Sequence, residues 1–136
     1  MSMERALYEI IKTLPVPGDR IYALRAPQNV KAPFVIYQRV DTAPWRDING
    51  PATVGQATMQ IDVYAVTYKE TKELAASLQL LLDGYRGTVA YGGDSPQATI
   101  RFGGISLQNS VDLLDQSDAP FLYRVSADYL ITFAGT

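Results

Sequence analysis

The sequence predicts an α+β fold: a mainly antiparallel β-sheet with two helices packed on one face, in the order αβββαββ. Three observations predict it. From Gln56 to Gly87 a period-two stretch runs directly into a helical one. Residues 3–14 carry a second apolar helical stripe, and residues 121–133 alternate without interruption. An all-parallel sheet is disfavoured, because too few helices intervene and the strands are apolar on one face only.

Each element has its own signal. Met3, Ala6, Leu7, Ile10, Ile11 and Leu14 form one helical face, Ser2 can cap it, and Pro15 ends it. Residues 15–18 (Pro-Val-Pro-Gly) read as a turn. Ile21 to Arg25 is a short strand, residues 26–33 a loop, and Phe34 to Asp41 a strand rich in β-branched and aromatic residues. Thr42 to Gly55 is expected to be a long connection, with Asn49-Gly50 as its turn signal. Ala57, Met59, Ile61, Val63 and Ala65 then alternate with polar residues and Tyr64. In the helix that follows, Leu74, Leu78, Leu81, Leu82 and Tyr85 share a face. Thr67 and Glu70 are spaced for a capping box, and Gly84 for a left-handed C-cap. Residues 88–97 read as a loop or a ragged hairpin. Ile100 and Phe102 give way to Ile105 and Leu107, a parity slip that a β-bulge at Gly103-Gly104 would produce. Residues 110–120 are expected to form a polar turn. Phe121, Tyr123, Val125, Ala127, Tyr129, Ile131 and Phe133 make the last strand. The chain, 1–136, is read as a single domain with long loops at 42–55, 88–97 and 110–120.

Composition narrows the function classes. Hydrophobic content of 47% with 19% charged residues fits a compact protein. Cysteine and histidine are both absent from the sequence, which removes thiolate and imidazole metal sites, disulfides and His-dependent triads. Charges at Glu4, Arg5, Glu9 and Lys12 argue against a secretory signal, and no apolar run approaches the length of a membrane helix. The formal charge of −2 is unlike the concentrated basic stripe of a duplex-binding protein. It divides into +2 over residues 1–50 and −4 over the rest, so two surfaces should differ in sign.

No motif carries recognisable catalytic or cofactor chemistry. Asp112, Asp115 and Asp118 lack the spacing of a calcium loop and read as a solvated turn. Asp47 to Gly50 resembles half of such a loop and reads as a tight turn. Residues 91–96 are glycine-rich but lack the ending that cradles phosphate. Lysine or carboxylate catalysis stays formally open, in a small enzyme or binding domain with a concave carboxylate-lined pocket.

Contact residues stand out instead. Trp45, beside Arg46 and Asp47, is either a binding anchor or a plug at the edge of the core. Leu113 and Leu114 are either a partner anchor or a small satellite core. Gln60, Asp62, Tyr64, Arg124, Ser126 and Asp128 share the sheet face away from the helices, which is either wet or covered by another subunit. Arg20, Arg25, Lys31, Arg39 and Arg46 make a loose basic series, either solvated or facing phosphate.

Several segments together resemble a known family: residues 20–27 (RIYALRAP), 33–40 (PFVIYQRV), 49–51 (NGP), 60–70 (QIDVYAVTYKE), 81–87 (LLDGYRG) and 122–131 (LYRVSADYLI). The ordered set is similar to the tail-completion, or tail-terminator, proteins of long-tailed bacteriophages and their prophages. The resemblance implies a structural protein, not an enzyme, with no cofactor and no membrane partner. It implies a homo-oligomeric ring, usually a hexamer, on the head-proximal end of the tail tube. The ring stops tube polymerisation, meets the tail tube protein on one face and the head-tail connector or neck protein on the other, and lets genomic DNA pass its lumen without specific binding. Its place would be the virion tail, with assembly in the host bacterial cytoplasm. Trp45, Arg46, Asp47, Asn49, Tyr64, Leu113, Leu114 and Arg124 are the residues expected to contact partners or subunits. A tail tube protein or a neck adaptor is the neighbouring alternative.

Overall fold

The computed structural model describes residues 3–16, 18, 20–27, 30–47, 50–92, 98–115 and 122–135. The first helix, α1 (Met3–Ile11), buries Met3, Ala6, Leu7, Ile10 and Ile11, the stripe its spacing predicts. It ends three residues before Leu14 in tighter turns, with Thr13 N–H on the Ile10 carbonyl and Leu14 N–H on the Ile11 carbonyl. Ser2 lies outside the described residues.

Six strands follow: β1 (Ile21–Ala23), β2 (Phe34–Asp47), β3 (Gly50–Ala65), β4 (Gly87–Tyr91), β5 (Ala98–Asp115) and β6 (Leu122–Gly135), with α2 (Tyr68–Leu82) between β3 and β4. They form one sheet in the order β1-β2-β3-β6-β5-β4. Every pairing is antiparallel except β1 with β2. The α+β class therefore holds, and the expected order holds with one strand added, because the open choice after α2 resolves into a hairpin strand, β4.

Thr67 caps α2, its hydroxyl oxygen accepting from the Glu70 N–H at 3.1 Å. Gly84, just past the end, takes φ +85°, where a side chain is disfavoured. The apolar faces of α1 and α2 join the inward residues Met59, Ile61, Ile105, Tyr129 and Ile131 in one core cluster. Both helices thus cover the same side of the sheet.

Two expected loops are corrected, and of the two readings left open for 88–97 the hairpin holds. Residues 42–55 are not a connection: β2 runs to Asp47 and β3 begins at Gly50, as one long hairpin. Alternation is masked there by register shifts between Arg39 and Asp41 and between Pro44 and Arg46. The β2 edge position also tolerates a proline. Residues 110–115 continue β5, paired with Leu122–Ala127 of β6. Asp112 is accommodated in the strand because β5 meets solvent there. Residues 88–91 pair with 98–101. The strand after Arg20 is also shorter than expected, because Leu24 turns to φ +69°. The predicted bulge is present, as a register shift between Phe102 and Gly104.

Candidate functional site

The helix-free face is organised in cross-strand rows. One row reads Phe34, Tyr64, Arg124 and Leu113, from β2 across β3 and β6 to β5. The next reads Ile36, Asp62, Ser126 and Val111, and the third Gln38, Gln60, Asp128 and Asn109. Three residues singled out from sequence, Tyr64, Arg124 and Leu113, therefore come together. Phe34 and Tyr64 stack with ring centroids 4.8 Å apart and planes 12° off parallel. The Arg124 guanidinium lies over the Tyr64 ring, 5.7 Å from its centre.

Behind that aromatic row sits an ion pair. Arg124 Nη2 donates to Asp62 Oδ2 at 2.9 Å, and Gln60 Nε2 lies 3.2 Å from both carboxylate oxygens. Asp62 is 6% exposed although it stands on the face without helices. Its neighbours on the sheet shield it. Arg124 Nε is buried and makes no hydrogen bond. Asn109 Nδ2 donates to Asp128 Oδ2 at 3.3 Å in the third row. The face is thus an amphipathic plate: stacked rings and a planar cation at one end, amides and a carboxylate at the other.

Leu114 does not join it. Leu113 and Leu114 are successive strand residues and point to opposite faces, which rules out a shared satellite core; both are exposed. Their neighbour Asp112 is on the helix side. It accepts from Tyr68 Oη at 2.8 Å and from Lys72 Nζ at 3.0 Å, so α2 clamps the outer half of β5. The Lys72 hydrogen bond, and after it that of Tyr68, holds the Asp112 carboxyl below the usual carboxylate range. The same bonds to Asp112 push Lys72 and Tyr68 up. The Asp115 side chain and Asp118 lie outside the described residues.

Trp45, Arg46 and Asp47 fall in the outer part of β2. Their side chains, together with Asn49 and the glycine-rich residues 93–96, lie outside the described residues. Among the described side chains, the basic series is divided among different settings. Arg20 Nε donates to the Pro33 carbonyl at 2.8 Å, Arg39 pairs with Glu4, and Arg25 and Lys31 are exposed. Concave surface is modest. A groove of about 190 Å³ runs between α2 and β5, with Lys72 as the charged residue in its lining. A shallower cleft of about 380 Å³ separates Leu14–Val16 from Glu70 and Glu73 of α2.

Sequence reading missed Phe34 and Val111. Phe34 was assigned to a strand, but its face depends on pairing with Tyr64, which no local pattern supplies. Val111 was hidden in the presumed turn.

Comparison with known proteins decides the family. The model of the family described as "Tail completion protein gp17" matches residues 6–132. The chain belongs to that family. Tail completion proteins are phage tail structural proteins, and the match extends from α1 into β6, through every element between them. A search of curated proteins gave no match. Among solved structures, the tail completion fold seen here is similar to a chain in the virion of a native gene transfer agent particle. That chain is 17% identical, with a TM-score of 0.67, over 96% of this chain and 92% of the other. At that identity the likeness shows a shared fold.

Proposed function

We propose that this member of the family is a tail terminator. Copies of one domain, six by family resemblance, close into a ring on the head-proximal end of the tail tube. One ring face binds the last tube ring and the other receives the connector or neck protein. Because the bound ring offers no further tube-like surface, growth stops. DNA crosses the lumen unheld, which suits a chain of formal charge −2 better than a basic one. A head-to-tail contact closes when its rotation divides a full turn evenly.

The match along residues 6–132 carries this reading. The geometry supports it: the sheet leaves one face without a helix, and that face collects stacked aromatics, an arginine and an exposed leucine, residue types suited to protein contacts. Tyr64, Arg124 and Leu113 are the contact residues we place there, with Trp45, Arg46 and Asp47 in outer β2, Asn49 as a further contact, and Leu114 on the opposite side of β5.

Negative-stain electron microscopy and native mass spectrometry, with and without purified tail tubes, test the proposal. Discrete rings, alone or seated on tube ends, together with arrested tube elongation, are expected. Open tubes made of this chain alone would make it a tube protein. A monomer that neither decorates tube ends nor arrests elongation would overturn the reading.

A further inference from the structure

One edge of the sheet is guarded along part of its length and bare along the rest. β4 pairs with β5 only as far as Phe102. The turn after α2 covers the next stretch. Gly84 N–H donates to the Ile105 carbonyl at 2.7 Å, and Arg86 Nε to the Gly103 carbonyl at 3.0 Å. The Leu107 N–H donates to Asp83 Oδ1 at 3.0 Å. Past the register shift between Leu107 and Asn109, residues 109–115 pair with β6 on one side and, among the described residues, no strand lies on the other. That stretch, NSVDLLD, exposes Val111 (47%), Leu113 (42%) and Leu114 (44%). Soluble proteins usually blunt such an edge with lysine, proline or a covering element. This segment contains neither residue; its charges are Asp112, which α2 engages, and Asp115 at the end of β5.

The bare edge is also held in shape. Tyr68 and Lys72 fix Asp112 from α2. The groove of about 190 Å³ opens beside it, lined by Leu107 and Ser110 of β5 and Ala75, Ala76 and Gln79 of α2. A strand added here would point alternate side chains toward that groove, the arrangement by which added strands gain specificity.

The opposite edge of the same sheet supplies a complement. β1 pairs with β2 only at Val35–Tyr37, and among the described residues no strand lies beside Val40–Asp47 on the side away from β3. Strand directions alternate from β2 through β3 and β6 to β5. A second copy set edge to edge would therefore bring its β2 antiparallel to this β5. The two bare stretches, 40–47 and 109–115, are of nearly equal length.

We propose that the bare stretch of β2 in one copy adds antiparallel to residues 109–115 of β5 in the next, so that the sheet continues from subunit to subunit. This rests on the ring reading above and names its contact. The contact is staggered. Asp112 is level with Val35 of its own β2, through Val125 and Val63, whereas the middle of the bare β2 stretch lies near Ala43. Bringing them together shifts neighbours by about eight residues, roughly 27 Å at strand rise. Asp83, Gly84 and Arg86 block sliding toward β4, which sets the smallest offset. A stagger repeated at every contact tilts the strands against the ring axis.

The chain has no cysteine, so paired cysteines report the contact cleanly. Leu113→Cys combined with Thr42→Cys, or with Ala43→Cys, is oxidised under assembly conditions with tail tubes present and run on a non-reducing gel. A ladder ending at the ring size is expected from at least one pair. Val111→Lys/Leu113→Lys, changed at exposed positions, should keep the melting temperature and lose the rings. Rings that persist in that variant, or that give no cross-link from either pair, overturn strand addition and leave the ring reading standing. Dimers from Leu113→Cys alone would show a two-fold β5 contact and overturn it, as would cross-linking to the tube protein instead. Cross-linked open chains without rings would uphold strand addition and sink the ring.

Discussion

Replacing Arg124 by alanine tests how the helix-free face is held. The Asp62 carboxylate, 6% exposed, accepts from Arg124 at 2.9 Å and from Gln60 at 3.2 Å. In Arg124→Ala it keeps Gln60 alone, in a place that water scarcely reaches. Breaking such a pair costs about 3 kcal/mol, the lower end of the usual range, because the Arg124 side chain is itself 29% exposed. Loss of the guanidinium over Tyr64 adds about 0.5 kcal/mol. Unfolding entropy near 2.1 cal/mol/K per residue amounts to about 0.29 kcal/mol/K for this chain, so the melting temperature should fall by roughly 12 °C. Asp62→Leu/Arg124→Met removes both charges at similar volume and should recover most of that loss. Circular dichroism melts at one protein concentration measure all three. A single variant melting within about 2 °C of the parent would refute the reasoning, as would a double variant no more stable than Arg124→Ala.

Four further outcomes follow from the same structure. Asp112 titrates below its ordinary value of 3.8, so the clamp is intact above that value and is lost as pH falls through the depressed one; Asp112→Asn should loosen residues 110–115 at neutral pH, seen as faster amide exchange there. Burial, and then Asp83, pushes the Tyr129 phenol from 10.0 up to about 12, so its contribution is complete below pH 10 and lost as pH rises through about 12. A spectrophotometric tyrosine titration should show one phenol ionising only as the protein unfolds. Gly84→Ala meets no atom but takes φ +85°, and should cost about 1 kcal/mol in a denaturant melt. Trp45→Ala should impair ring assembly or tail joining more than it lowers the melting temperature; a large stability loss with assembly intact would mark Trp45 as a core plug.

What the sequence made legible, and what it hid, divides along the helix layer. α1, α2, the inner half of β3 and most of β6 were readable because each buries one face, and burial writes a period into the residues. Met59, Ile61 and Val63 alternate since the helices lie over them. The outer half of β2 and the stretch 110–115 of β5 were mistaken for loops. Residues 110–114 are exposed on both faces, so nothing in the lone chain selects alternation there. Phe34 was missed as a site residue for a related reason, since its partner Tyr64 is set by register and not by spacing. A strand that persists without burial nonetheless keeps its backbone extended for a purpose, and in β5 the Tyr68–Asp112–Lys72 clamp stabilises it from α2. On the strand-addition proposal, residues 110–114, which lack a burial pattern, pair with the neighbouring subunit. They answer to an interface that one copy does not contain, which is why a reading tuned to a single core passes over them.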